Sequence, residues 1–471
     1  MNKNLKNTDL DRYLKNLLGD QYSSFLSSPA EPVAIRTNTL KANTEQICRL
    51  LDQYQYDYKR LSFNADGFSL GSDPIPLSHS LAFFEGLFQY QGISSQIPVI
   101  ILNVQSGERV LDMAAAPGSK SSQIAANMAE KGELVLNDSS YNRLQGLQAN
   151  MQRCGATNHI VLKQRGENLS RIYPEYFDKI LLDAPCTALG THLSTSDVPS
   201  WWSDEKLQKL SKLQYQLMVS AIKCLRTGGE VVYSTCSVSP EENELMIEKI
   251  IRKYPVEVVE IDPAIQSRFD KGWSSYNKRS ILEELIKSVR TWPHKHGCEG
   301  FFVIKLRKTA AIESESDGPS LKKSETLSAE QSHVKKVLEE LSESWGISEE
   351  YWQNFRYILT KSRLWMINTQ IQYVPEDQFI SGGLLLGEQR LNGWKLVNGS
   401  AQYLSNQIGK RRLSLTDEEL EKIFKEGKIK FKNLPHDYYV LEYGDRIIGS
   451  LYHERGNLRI RLPHLFRRFR I

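Results

Sequence analysis

Arg109-Val110-Leu111-Asp112-Met113-Ala114-Ala115-Ala116-Pro117-Gly118-Ser119-Lys120 is the stretch on which the fold turns. An apolar run of strand character ends in a loop of small residues, and helical patterning begins at Ser121. Strand, tight loop and helix start together form a nucleotide-type site. Small side chains let a ligand approach the backbone, and free amides at a helix start attract a carboxylate or phosphate. The residue order excludes a Walker phosphate loop, and a single glycine excludes the dinucleotide fingerprint. Asp138 closes the next apolar run, twenty residues after Gly118, where an acid accepts hydrogen bonds from ribose hydroxyls in such folds.

Further apolar runs at 133–136, 159–162, 179–182, 230–233 and 301–304 alternate with helical stretches. That alternation predicts βαβ units and a parallel sheet, an α/β Rossmann-like core over residues 96–308. Residues 207–225 carry apolar side chains at 207, 210, 213, 217, 221, 222 and 225, the pattern of a long amphipathic helix. Residues 1–95 mix short amphipathic stretches (10–18, 44–54) with strand-like pieces, an N-terminal α+β unit. Residues 309–330 are rich in Ser, Glu and Lys and predict a linker. Residues 331–471 resume helical patterning through Trp345, then alternate as strands around Tyr443-Gly444-Asp445 and Arg455-Gly456-Asn457. No internal repeat is present.

A chain of 471 residues predicts two to four domains. With 40% hydrophobic and 25% charged residues it has globular composition. It has no apolar run of about 18 residues, which excludes a spanning helix. The start lacks a signal-peptide core. Six cysteines, none in Cys-x-x-Cys, argue against a zinc ribbon or disulfide scaffold and for a reduced, cytoplasmic setting. The nine histidines show no metal-ligand spacing, so no metal is expected. Net charge is +4, but residues 455–471 hold six arginines and no acid, and Lys410-Arg411-Arg412 adds a second basic cluster. Such an end suits phosphate contacts; a merely solvated surface is the plainer alternative.

Two cysteines stand apart from Cys48, Cys154, Cys224 and Cys298, which are expected to be ordinary buried or half-buried residues. Asp183-Ala184-Pro185-Cys186 ends the fourth apolar run and Tyr233-Ser234-Thr235-Cys236 the fifth. Both therefore emerge at the carboxyl edge of the sheet, where open α/β folds bind ligands. C5 of cytosine is a poor nucleophile toward a methyl sulfonium. A thiolate added at C6 makes an enamine-like ring whose C5 attacks, and this is covalent catalysis. An acid such as Asp183 then serves ring N3, and a second polar group assists release.

The motifs LDMAAAPGSKSSQIA, LLDAPCTALG and YSTCSVSPEENE, with GCEGFFVIKL closing the core, resemble the NOL1/NOP2/Sun family of RNA cytosine-5 methyltransferases. Ile35-Arg36-Thr37-Asn38-Thr39-Leu40-Lys41 and Leu87-Phe88-Gln89-Tyr90-Gln91 extend the resemblance upstream. The last 140 residues are similar to the F-type group of bacterial 16S rRNA methyltransferases, whose PUA-like end contacts RNA. The resemblance implies that Cys236 is the nucleophile and that Cys186 assists release. It implies that S-adenosyl-L-methionine lies against Ala114, Ala115, Ala116, Pro117, Gly118, Ser119, Lys120, Asp138 and Asp183. It also implies a monomer acting on RNA, 16S rRNA or the 30S subunit. Two departures stand out. Arg165 occupies the place of an adenine-contacting acid, so Glu167 substitutes or adenine recognition weakens. Thr187-Ala188 replaces Ser-Gly after the first cysteine, which stiffens that loop. A tRNA substrate, a catalytically weak RNA-binding assembly factor and a small-molecule methyltransferase are the other readings. His192 is expected at the surface, and Trp201-Trp202 beside the long helix.

Overall fold

The computed structural model describes residues 7–71, 76–191, 198–312, 322–390 and 393–460. The central sheet contains β1 (Arg109–Asp112), β2 (Glu133–Asn137), β3 (His159–Leu162), β4 (Phe177–Asp183), β5 (Leu225–Thr235), β6 (Val289–Thr291) and β7 (Phe301–Lys308). Their order across the sheet is β6-β7-β5-β4-β1-β2-β3. Strands β1 to β5 pair in parallel. The expectation of a parallel sheet is corrected at β7, which runs antiparallel to both β5 and β6.

Alternate residues of each strand enter two different cores. Leu111, Val135, Ile160, Ile180 and Val231 join one cluster, with Leu217, Met218, Ala221 and Ile222 of the helix Asp204–Cys224. Val110, Leu134, Val161, Leu181 and Val232 join the other, beneath the helices Ile93–Leu102, Ser119–Asn127 and Tyr141–Cys154. Because both faces are covered, the strands are continuous apolar runs rather than alternating ones. Each such aliphatic side chain contributes roughly 1.5–3 kcal/mol by leaving water.

An antiparallel sheet of Ala34–Thr37, Tyr58–Leu61, Asn64–Leu70 and Phe88–Tyr90 precedes the core. The Arg-x-Asn-Thr-Leu-Lys signature fastens it. Buried Arg36 donates to Gln91 Oε1 (2.8 Å) and to Ser122 Oγ (2.8 Å) on the helix after the small-residue loop. Asn38 Nδ2 donates to the carbonyls of Gly86 (2.8 Å) and Cys154 (2.9 Å). Lys41 Nζ donates to the carbonyls of Glu85 (2.8 Å) and Arg153 (2.9 Å) and to Gln402 Oε1 (3.0 Å). Burial pulls the Lys41 ammonium down to about 8.

The C-terminal region is not confined to its own sheets. Phe379–Gly382 pairs antiparallel with β3 and extends the central sheet. A four-stranded sheet (Phe355–Leu359, Arg363–Asn368, Leu384–Arg390, Gly393–Leu396) comes next, and a five-stranded one ending at Asn457–Ile460 is built around the expected turns at 443–445 and 455–457. The second basic cluster is met within the chain: Arg411 pairs with Asp437 at 2.8 Å and Arg412 with Glu442 at 2.5 Å. Trp202 is buried among Leu10, Leu14 and Leu207. Cys48 is half-buried, and Cys154, Cys224 and Cys298 are buried. His192 and residues 461–471 of the arginine-rich tail lie outside the described residues. Among those described, no helix is long and apolar enough to cross a membrane.

Candidate active site

The carboxyl ends of β1, β4 and β5 lie side by side, so the loops that leave these strands share one edge. Residues 114–118 turn directly out of β1 into the helix Ser119–Asn127. Gly118 has φ of +107°, and a Cβ there would stand 2.8 Å from Leu147 Cδ1. This helix starts without a side-chain cap, which leaves the amides of its first turn for a ligand. Asp138 follows β2 and is buried. Its Oδ1 accepts from Ser140 N at 2.9 Å, while Oδ2 has no hydrogen-bond partner among the described residues. Arg143 Nη1 lies 3.2 Å from that oxygen, outside hydrogen-bond geometry, and Arg143 Nη2 donates to Ala116 O. A buried carboxylate oxygen that has an ion-pair neighbour but no hydrogen bond, beside a small-residue loop, fits a ligand with ribose hydroxyls.

Cys186 and Cys236 meet where β4 and β5 end, with their sulfurs 3.3 Å apart. The Cys186 thiol is shifted toward its protonated form. Its hydrogen bond with Cys236, its burial and the charges of Cys236 and Glu242 all push it well above the ordinary thiol range. Either sulfur can donate across this contact. Asp183 completes the group: its Oδ1 accepts from Ser234 Oγ at 2.7 Å and its Oδ2 from Lys120 Nζ at 2.8 Å. Lys120 also donates to Ser95 Oγ at 2.8 Å and lies 5.4 Å from the Phe301 ring centre. Burial works against its charge, yet Asp183, Cys236 and Asp112 together raise it above the usual lysine range. Beneath the loop, burial lifts the Asp112 carboxyl to about 7 against the hydrogen bond that it accepts from Ser121 Oγ at 2.7 Å.

The four residues Cys236, Cys186, Asp183 and Lys120 thus converge, whereas Asp138 stands apart with Arg143, which also reaches the small-residue loop at Ala116. Arg165 and Glu167 pair with each other at 2.8 Å. They line a separate cavity of about 300 Å³ whose walls include neither Cys186 nor Cys236. The residues after Cys186 are unusual in conformation as well as identity. Ala188 has φ of +56°, a left-handed backbone where glycine is free and alanine is strained. Gly190 donates to the Cys236 carbonyl at 2.9 Å and accepts from Gly300 N at 3.0 Å.

Sequence reasoning passed over Glu242, Gln214, Ser234 and Arg143. Glu242 stood inside YSTCSVSPEENE, but nothing in its spacing showed that the chain buries it. A second buried carboxylate, Glu244, pairs with Arg290 (Nε to Oε1, 2.6 Å), and Arg290 Nη1 donates to the Val238 carbonyl at 3.0 Å. These bonds hold the segment after Cys236 from behind.

Sheet order, antiparallel β7 and the loop–acid pair define a class I S-adenosylmethionine-dependent methyltransferase. The family described as 16S rRNA methyltransferase RsmB/F matches residues 99–307. The ribosomal RNA small subunit methyltransferase F of Escherichia coli O157:H7 (strain EC4115 / EHEC) is 31% identical, over 86% of this chain and 84% of that protein. Its Erwinia tasmaniensis counterpart is 29% identical over 91% and 90%. A methyltransferase homolog protein from Pyrococcus horikoshii is 31% identical with a TM-score of 0.57, over 63% of this chain and 93% of that one. NSun6 from Pyrococcus horikoshii, solved with SFG, is 26% identical with a TM-score of 0.56, over 64% and 98%. The chain belongs to the RsmB/F family of methyltransferases.

Proposed function

We propose that the protein methylates C5 of a cytosine in small-subunit ribosomal RNA through a covalent bond between Cys236 and ring C6. The observation that carries this reading is the pair of sulfurs 3.3 Å apart beside the Asp183–Lys120 ion pair. Cys236 is the proposed nucleophile, and the Lys120 ammonium, paired with Asp183, shares its edge of the sheet. Asp183, braced by Ser234 and Lys120, accepts a hydrogen bond from ring N3 once N3 has taken a proton from solvent as charge builds on the ring. Cys186 donates to the sulfur that must later depart. S-adenosylmethionine, when bound, supplies the electrophilic methyl group. Residues 114–120 and Asp138 would hold it, with Asp138 Oδ2, which lacks a hydrogen bond, accepting from a ribose hydroxyl.

The named relatives methylate small-subunit ribosomal RNA, and the same substrate class is proposed here. The base must leave its stack to reach Cys236. The N-terminal sheet, the terminal β unit and the arginines of residues 455–471 are the proposed RNA contacts. A binding-only factor has no use for two thiols held 3.3 Å apart. The test is nucleoside mass spectrometry of small-subunit rRNA after incubation with the protein and S-adenosylmethionine. The proposal predicts 5-methylcytidine, lost in Cys236→Ala. Methylation that survives Cys236→Ala, or a different methylated nucleoside, overturns it.

A further inference from the structure

Glu242 is wholly buried, yet its carboxylate is committed to the two loops that bear the cysteines. Its Oε1 accepts from Thr187 N at 2.9 Å and from Gln214 Nε2 at 2.9 Å, and its Oε2 accepts from Thr187 Oγ1. Gln214 Nε2 also donates to the Pro185 carbonyl at 2.9 Å, which grips the Cys186 loop from its other side. Thr187 Oγ1 lies 3.0 Å from Ser237 Oγ, the residue after Cys236. The Glu242 carbonyl accepts from Tyr233 OH at 2.6 Å, which fixes it to β5. A buried carboxylate is costly unless several donors meet it. Here every donor side chain belongs to, or grips, a cysteine loop.

We propose that Glu242 is a positioning residue for product release, holding the Cys186 loop so that its thiol stays within reach of the Cys236 sulfur. The inference rests on the covalent reading of the site. In the step concerned, the C5–H bond breaks and its proton passes to water. The electrons form the C5–C6 double bond as the C6–sulfur bond breaks, and the pair returns to Cys236 Sγ. That sulfur takes the Cys186 proton, and solvent reprotonates Cys186. No oxidant or reductant is involved. Thr187 is central, because its amide and hydroxyl are the contacts through which Glu242 sets the residue next to Cys186. The hydroxyl also explains why threonine serves where the resemblance leads one to expect serine.

The experiment follows covalent protein–RNA adduct on denaturing gels, using the full chain, a labelled small-subunit rRNA fragment and S-adenosylmethionine. Glu242→Gln and Thr187→Val are compared with wild type, Thr187→Ser and Cys186→Ala. Release that depends on Glu242 predicts at least tenfold more adduct per turnover in both variants. Cofactor affinity should stay within twofold of wild type, and Thr187→Ser should release normally. A merely structural role lowers adduct formation and methylation together, and that result overturns the proposal. Should Glu242→Gln not fold, Thr187→Val decides alone, since valine keeps the shape and the backbone donor. Cys186→Ala separates the two layers. No adduct there defeats the covalent reading itself, whereas adduct there but none in Thr187→Val defeats only the role of Glu242.

Discussion

Cys186 and Cys236 are the same residue type at neighbouring strand ends, and their surroundings make them different. Cys186 sits among groups that hold its proton, with Glu242 on one side and the Cys236 sulfur on the other. Cys236 shares its edge with the Lys120 ammonium. Asp112 illustrates the same dependence and yields a stability prediction. Burial lifts its carboxyl from 3.8 to about 7 in the folded chain, so the folded state binds a proton that the unfolded state has released. Stability is then fullest below the unfolded value and falls as pH rises through 7. Asp112→Asn keeps an acceptor for Ser121 and removes the titration. Between pH 5 and 7 its unfolding free energy should fall by roughly 2 kcal/mol less than that of wild type in urea titrations. Parallel pH profiles for the two proteins would contradict the burial argument. Ala188 gives a second prediction. With φ of +56°, Ala188→Gly should stabilise the chain by about 1 kcal/mol, read as a shifted urea midpoint at unchanged slope. A destabilised variant would mean that the loop has no strain to relieve.

At the scale of elements, the cysteine loops are held by contacts that no single motif displays. Gly190 of LLDAPCTALG lies against Gly300 of GCEGFFVIKL so closely that a Cβ would stand 1.8 Å from the Gly300 carbonyl. Gly190→Ala should cost about 3 kcal/mol of stability and abolish methylation, because the loop also donates to the Cys236 carbonyl. Urea titration with a methylation assay checks both; wild-type stability would show that the loop moves freely. The central strands were legible in the sequence because both of their faces are buried, which leaves unbroken apolar runs. Val289–Thr291 was not, since buried Arg290 at its centre breaks the run and finds its partner, Glu244, on another element. Glu242 was illegible for a related reason: the burial of a carboxylate follows from donors at Thr187 and Gln214, far away in sequence.

For the whole molecule, the sequence marked residues 309–330 as a linker and the region after it as separate. Phe379–Gly382 nevertheless completes the central sheet, and Ile367, Ile371 and Val374 enter its larger core. Four residues ending in Ser-Gly carry too little signal to be recognised as an edge strand, and their partner strand lies more than two hundred residues upstream. The consequence is testable by truncation. A chain of residues 1–312 loses the cover of β3 and exposes an unpaired edge beside apolar surface, so light scattering should show aggregation where the full chain is dispersed. A monodisperse fragment would mean that the core needs no such cover.

The central claim is a division of labour between two thiols, and trapping the adduct tests it most directly. Cys186→Ala, incubated with small-subunit rRNA and S-adenosylmethionine and run on a denaturing gel, should give a protein–RNA species that disappears when Cys236 is also replaced. No adduct in Cys186→Ala, or an adduct that survives loss of Cys236, would contradict the account.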